Sequence, residues 1–204
     1  MKTHHILVIA GLAMSAAACS TPTTLSNVWR DPNYTSAMQK IFVVGRTNDQ
    51  TNRHNLEDAY VSALAAHGVR ATASYHAFPD LKVDREAVRS QLESQGYDGV
   101  LVTTFKGVHT QTYYEPGMGF YGYYGTGWGG YVATDQIVKV ETTLWCPKTD
   151  KLVWSATSDT DNPSSSNDAI SSIVTKVVST LSEERLIATR APAVAYSPSA
   201  LHAY

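Results

Sequence analysis

The chain has 204 residues, a mass of 22.2 kDa and a formal net charge of −2, with 16 Lys and Arg against 18 Asp and Glu. Hydrophobic residues make up 43% of the chain and charged residues 17%, which predicts a folded domain and excludes a disordered, highly charged chain. Because there is no basic excess, the composition argues against a protein that binds nucleic acid by neutralising phosphates. Two cysteines exclude a disulfide scaffold.

The first 18 residues are typical of an export signal. Lys2 supplies a positive charge, and an apolar segment over 6–14 precedes a run of small residues. That apolar segment is too short to cross a bilayer, which takes about 20 apolar residues. We therefore expect residues 1–18 to be removed as a signal peptide, leaving a chain without a membrane-spanning helix.

The small-residue run that ends at Cys19 resembles the lipobox of bacterial lipoproteins. The resemblance implies that the Cys19 thiol receives a diacylglyceryl group, that palmitate-type acyl chains anchor the protein, and that the chain is cut before Cys19. An ordinary A-x-A cleavage site at 16–18 is the alternative, and it predicts the same cut. Ser20, rather than Asp, follows the cysteine, which in lipoproteins of this type implies the inner leaflet of the outer membrane, facing the periplasm.

The first half of the mature chain alternates between strand and helix patterns. Continuous apolar runs predict buried strands, and three-to-four spacing predicts amphipathic helices that end at glycines. Together these patterns predict a parallel sheet with right-handed crossovers. The order is a buried strand at 40–45, a helix at 56–67, an edge strand at 69–75, a helix at 84–95 and a buried strand at 99–105.

The second half has the pattern of an antiparallel hairpin followed by a helix. Strands at 138–144 and 152–154 flank a turn at 147–150, and apolar spacing over 170–181 predicts the helix. The predicted fold class is α/β, with a mixed sheet of about five strands (β-α-β-α-β, then the hairpin and a C-terminal helix) and helices packed on it. The predicted organisation is a lipidated polar tether at 19–27, one domain at 28–188 and a loose tail at 189–204.

The body resembles a family of small bacterial envelope lipoproteins known only as a domain of unknown function. The resemblance implies a compact α/β domain that faces the periplasm, and it implies no reaction. It rests on the apolar strand before Gly45, on Arg53 and Glu57 at the start of the first helix, and on the sequences GYDGVLV at 96–102 and KLVWS at 151–155.

A Tyr/Gly-rich loop at 113–131 is the unusual segment of the sequence. It holds six of the 12 tyrosines and seven of the 13 glycines, with Glu115 as its one charge. Its G-x-G-x-x-G at 117–122 lacks the following helix that a dinucleotide site requires. The loop is either a ligand-free or self-packed insertion, a protein-docking surface, or one wall of a glycan or small-ligand cleft. Its candidate binding residues are Tyr113, Tyr121, Tyr123, Tyr124 and Trp128.

Polar residues after the first buried strand are the second candidate group. If the strand order is second, first, third, a crevice lies beyond the ends of the first and third strands, where the order reverses. Arg46, Asn48 and Arg53 would then face the root of the Tyr/Gly-rich loop and hold a partner or ligand. Arg53 is alternatively the ion-pair partner of Glu57, one helical turn later.

The sequence does not contain a recognisable reaction site. Its histidines lack ligand spacing to one another, and neither a metal-binding nor a nucleophile-elbow pattern is present. No metal and no cofactor are expected, and Cys146 is interpreted as a residue at the edge of a turn. The leading hypothesis is a non-catalytic envelope lipoprotein that serves as an accessory or protein-interaction module. The alternative is a periplasmic protein that binds a glycan or small ligand, or a hydrolase that uses the crevice.

Overall fold

A computed structural model describes residues 21–79, 85–115 and 131–188. The described chain forms one six-stranded mixed sheet with helices packed on it, in the strand order β1-β6-β5-β4-β2-β3. The elements are β1 (Thr23–Arg30), β2 (Lys40–Arg46), α1 (Gln50–Ala66), β3 (Arg70–Ala73), α2 (Arg85–Ser94), β4 (Gly99–Glu115), β5 (Tyr131–Cys146), β6 (Lys151–Asp161) and α3 (Ser166–Glu183).

The parallel part of the sheet confirms the predicted alternation of strands and helices. β2 pairs in parallel with β3 on one side and with β4 on the other, so the order of these strands is second, first, third. Alternate β2 residues point to opposite faces, where α1 and α2 pack separately. Ile41 and Val43 belong to the core with α1, whereas Phe42 packs with Leu92 of α2 and with Tyr97. Gly68 ends the α1 region in a left-handed conformation, with φ of 84°.

The antiparallel part is longer than the sequence predicts. β4 continues ten residues beyond the predicted end at Phe105, and β5 begins at Tyr131, seven residues before the predicted start. The two strands stay paired up to Glu115 and Tyr131. The extension is rich in Val and Thr, which favour strands even where they are not buried. Tyr113 is therefore a strand residue, and the rest of the Tyr/Gly-rich loop, at 116–130, lies outside the described residues.

The structure corrects the predicted polar tether at 19–27. Residues from Thr23 onward form β1, which pairs antiparallel with β6 at the edge of the sheet. Polarity suggested a tether because β1 has few apolar residues, but its threonines favour strands and find hydroxyl partners. The Thr23 hydroxyl lies 2.8 Å from that of Thr160 and 2.6 Å from that of Ser172 on α3.

The main core lies between the sheet and the pair α1 and α3. Trp154, Tyr60 and Leu144 are among its completely buried side chains. The C-terminal end of the described chain returns to this core, because Met38 N–H donates to the Leu186 carbonyl at 2.8 Å. Residues 189–204, predicted as a loose tail, lie outside the described residues.

Candidate functional site

The order of the parallel strands reverses at β2, because the next strand, β3, lies on one side of β2 and the following strand, β4, lies on the other. β2 ends at Arg46, whereas its neighbour β4 continues well past the paired residue Thr104. The crossover helices α1 and α2 lie on opposite faces of the sheet, so a crevice opens where β2 stops. Residues Arg46, Thr47 and Asn48 form the lip of this crevice.

A cleft of about 530 Å³ lies on the α1 and α3 face of the sheet, and we call it the α-face cleft. Its floor is apolar and comes from α1, α3 and the two central antiparallel strands. Its rim is polar and comes from the loop after β2 and from the segment before α3. The floor residues include Leu56, Val138, Val140, Ala169, Ile170 and Ile173, and the polar rim residues include Arg46, Thr47, Asn48, Asp49, Asn52, Gln136, Ser164, Ser165 and Ser166. Phe105 and Val108 are the exposed apolar residues at the edge of the cleft.

A second cavity of about 490 Å³ lies on the α2 face. Phe42, Val44 and Phe78 contribute to its lining. It shares four lining residues with the α-face cleft, namely Arg46, Thr47, Asn48 and Phe105. The two cavities are therefore neighbouring parts of one depression that passes around the end of β2.

Arg46 and Asn48 lie where the sequence predicts them. Both side chains are exposed at the lip of the cleft. Within the described ranges no carboxylate pairs with Arg46, so its guanidinium is available to an anionic group. Asp49 is already engaged, because its Oδ1 accepts the N–H of Asn52 at 2.9 Å and caps α1.

Arg53 does not line the crevice, which corrects its predicted position there. Its side chain is completely buried, and its Nε donates to Oε1 of Glu57 at 3.0 Å. Its Nη1 donates to the carbonyl of Pro79, and its Nη2 donates to the carbonyl of Phe78 and the hydroxyl of Ser74, at 2.8 to 3.0 Å. The alternative interpretation, an ion pair with Glu57, is confirmed.

The buried pair fixes the frame of the crevice. Glu57 Oε1 also accepts the backbone N–H of Gly45 at 2.8 Å, and Oε2 accepts that of Tyr75 at 3.0 Å. One carboxylate thus joins the end of β2 to α1 and to the turn after β3. Because each guanidinium nitrogen of Arg53 and each carboxylate oxygen of Glu57 has at least one hydrogen-bond partner, this buried charge network holds these three elements in one arrangement.

β4 and β5 carry exposed apolar side chains at the same end of the sheet. Four large hydrophobic side chains of these two strands are at least 40% exposed. These are Phe105 at 46%, Val108 at 51%, Tyr113 at 43% and Val132 at 65%. Tyr121, Tyr123, Tyr124 and Trp128, the other candidate aromatic residues, lie outside the described residues, as does Cys19.

The N-terminal segment is bound to the domain from Thr21 onward. The Thr21 hydroxyl donates to Asp168 in the first turn of α3, and its carbonyl accepts the Ser172 hydroxyl at 2.6 Å. Thr23 then occupies a cross-strand row with Thr160, Val138 and Val108. Since Val138 and Val108 line the α-face cleft, the N-terminal attachment and the cleft lie at the same end of the sheet.

Sequence reasoning missed the part of the cleft that α3 supplies. Ser164, Ser165 and Ser166 lie at the start of α3, and the Ser165 hydroxyl caps the helix by accepting the N–H of Asp168 at 3.1 Å. Nothing in the sequence indicated that these serines lie across from Arg46 and Asn48. Their position follows from the packing of α3 beside α1, where Asn55 donates to Asn167 at 3.0 Å.

The described chain is thus an α/β domain with a mixed, open sheet and a crevice at its switch point. Solved structures similar to it include the PelC dodecamer from Paraburkholderia phytofirmans, at 18% identity and a TM-score of 0.49, covering 83% of this chain and 100% of that chain. Lipoprotein GNA1162 from Neisseria meningitidis is similar at 15% identity and a TM-score of 0.41, covering 71% and 98%. A minor lipoprotein from Acinetobacter baumannii is similar at 10% identity and a TM-score of 0.36, covering 73% and 96%.

No protein-family model matches the chain, and the search of curated proteins found no match. The family resemblance of the body therefore stays a prediction. In the described part of the chain, no helix has the length and apolar character needed to cross a membrane. The same residues contain no group of three or more His, Cys, Asp or Glu side chains arranged to hold a metal ion.

Proposed function

We propose that this chain is a lipid-anchored lipoprotein of the bacterial envelope, with its domain acting as a non-catalytic accessory or interaction module. Acyl chains on Cys19 would hold it in the inner leaflet of the outer membrane, facing the periplasm. Support comes from the signal-like segment at 1–18, the small residues before Cys19 and the single domain that follows. Two or three acyl chains anchor a protein stably, since each buried methylene contributes about 0.8 kcal/mol.

The observation that carries this proposal is that Cys19 precedes Thr21, which is bound to the domain, by only two positions in the sequence. Thr21 is hydrogen-bonded to α3, and two residues of chain span at most about 7 Å. A lipid on Cys19 would therefore keep the domain against the membrane surface. The end of the sheet that holds the cleft and the exposed β4–β5 surface would be the end nearest to the lipid.

The lipid anchor is tested by replacing each cysteine in turn. Cys19→Ser should lose incorporation of an alkyne-labelled fatty acid in cells, whereas Cys146→Ser, the matched control, should keep it. A Cys19→Ser chain given a signal cut by the ordinary signal peptidase should move to the soluble periplasm. Labelling of Cys19→Ser, or membrane retention of that correctly cut variant, would contradict the proposal.

The interaction role is tested by crosslinking in cells. A photo-reactive residue at Tyr113 or Asn48 probes the exposed end of the domain, and one at Lys148, in the turn at the opposite end, is the control. A discrete protein crosslink from Tyr113 or Asn48, and none from Lys148, supports a protein-interaction module. Equal crosslinking from all three positions would contradict it.

The alternative function, binding or hydrolysis of a glycan or small ligand, is favoured by the cleft itself. The α-face cleft has a volume within the range of small-molecule sites, roughly 300–1,000 Å³. Protection of the domain against thermal unfolding by peptidoglycan fragments or oligosaccharides would support this alternative. Release of a product from them would identify a hydrolase.

A further inference from the structure

We propose that the α-face cleft is a binding site for one long acyl chain of a lipid. The nearness of the cleft to a membrane rests on the proposed lipid anchor, whereas the chemistry of its lining does not. The ligand class is an amphiphile whose hydrocarbon chain enters the cleft and whose polar head stays at the rim.

The floor of the cleft suits a hydrocarbon chain. Leu56, Val140 and Ile173 are buried core residues that also line the cleft, so its floor is continuous with the hydrophobic core. Val138 and Ile170 extend this apolar surface as half-buried side chains. A polar ligand would lose its hydration against such a floor without gaining hydrogen bonds, whereas an acyl chain has no hydrogen bonds to lose.

The rim of the cleft suits a polar head group. It offers amide and hydroxyl groups from Asn48, Asn52, Gln136, Ser165 and Ser166, which can donate to ester or carboxylate oxygens. Arg46 adds one guanidinium without an ion-pair partner among the residues that the structure describes. The one carboxylate on the rim, Asp49, is occupied as the cap of α1.

One side of the cleft opening, beside the polar rim, is apolar, whereas the opening of a water-filled site is usually polar. Phe105 and Val108 are about half exposed at its edge. They lie on β4, at the end of the sheet to which the N-terminal segment is bound. An apolar mouth that faces a bilayer gives a chain a path from lipid to cleft with little contact with water.

Distance along the sheet connects the attachment point to the cleft. Thr23 and Val138 lie two strands apart in one cross-strand row, which places their backbones about 10 Å from each other. Acyl chains of neighbouring bilayer lipids or of the protein's own anchor are both within reach. A cleft of about 530 Å³ accommodates one chain, so the rest of such a lipid would stay outside.

The test uses the Cys19→Ser protein, exported with a signal that the ordinary signal peptidase removes and purified without lipid. A fluorescent fatty acid should bind saturably in a one-to-one ratio, and unlabelled palmitate should displace it. Val138→Trp fills the cleft and should weaken binding at least tenfold. Ile137→Trp, the adjacent residue on the other face of β5, is the matched control and should change binding less than twofold.

A second variant tests the cleft from its other wall, in case Val138→Trp misfolds. A second ligand tests whether the rim binds the carboxylate. Ile170→Trp on α3 should block the cleft from the opposite wall, and circular dichroism checks that each variant is folded. Arg46→Ala should weaken palmitate several-fold but leave hexadecanol, which lacks the carboxylate, unchanged. No saturable binding, or equal loss in Val138→Trp and Ile137→Trp, would overturn the proposal.

Two further comparisons identify the source of the acyl chain and distinguish the acyl-site proposal from the lipid-anchor proposal. If wild type purified with its lipid excludes the probe while Cys19→Ser takes it up, the protein's own anchor occupies the cleft. If both take it up, the ligand is a separate lipid. Because the binding assay uses a chain without Cys19, its outcome is independent of whether cells lipidate that residue. A failed anchor test with positive binding would therefore leave the acyl site standing, and the reverse also holds.

Discussion

The side chain of Thr21 is hydrogen-bonded to Asp168, 147 residues away in the sequence, at the first turn of α3. Asp168 also accepts the backbone N–H of Ser164 at 2.9 Å and the Ser164 hydroxyl at 3.0 Å. One carboxylate therefore joins the start of the described chain to a helix N-terminus and to the rim of the α-face cleft. This contact determines which end of the domain a lipid at Cys19 would bring to the membrane.

The first prediction concerns acid pH. The hydrogen bond from Thr21, followed by those from Ser164, lowers the pKa of Asp168 below its ordinary value of 3.8. Because the carboxylate is favoured in the folded state, its stabilising effect is present above pH 3.8 and is lost as pH falls through the lowered pKa. Relative to the intrinsic exchange rate at each pH, the β1 amides should lose protection against hydrogen exchange in that acid window.

Asp168→Asn is the control for this effect. The amide keeps a hydrogen-bond acceptor but does not ionise, so the acid-dependent part of the exchange in β1 should disappear. An unchanged acid dependence in Asp168→Asn would assign the effect to another carboxylate.

The second prediction compares two ion pairs of the same spacing and length. Arg53→Met leaves the Glu57 carboxylate buried without its cation and should destabilise the domain by about 3–5 kcal/mol. Arg89 and Glu93 are also four residues apart and 3.0 Å from each other, but they are half exposed. Arg89→Met should therefore leave the melting temperature almost unchanged. Equal effects in the two variants, measured by thermal unfolding, would contradict a structural role of Arg53.

The third prediction concerns the close approach of Gly99 to Met38. A Cβ at position 99 would overlap the Met38 sulfur, and Met38 is completely buried. Gly99→Ala should therefore cost about 1–3 kcal/mol through overpacking. At Gly45 the nearest atoms would be 3.4 Å away, an ordinary contact, so Gly45→Ala is the milder comparison in denaturant unfolding.

The parallel half of the fold was predictable because its signals are local and consistent. The apolar run of β2 indicates a strand. The helical spacing in α1 and the glycine at position 68 both indicate a helix and its end, and in each case the signal comes from neighbouring residues. The strand order of β3, β2 and β4 was only a condition of the predicted crevice, and the structure has that order. The prediction of an α/β fold with a mixed sheet is confirmed.

The edge strand and the complete burial of Arg53 were not predictable, because distant residues determine them. The hydroxyls of β1 are satisfied by Thr160 and Ser172, which lie far away in sequence. Arg53 is buried because the carbonyls of Phe78 and Pro79 fold over it. Similarly, the cleft brings serines before α3 close to Arg46, and only the packing of α3 beside α1 reveals that contact.

Membrane orientation is the central claim, and fluorescence quenching in vesicles tests it most directly. Val108→Cys and Lys148→Cys place a dye at opposite ends of the sheet in a lipidated, Cys146→Ser protein bound to vesicles that contain quencher-bearing lipids. We expect strong quenching at position 108 and little at position 148. Equal quenching, or stronger quenching at position 148, would contradict the claim that the cleft end of the domain faces the membrane.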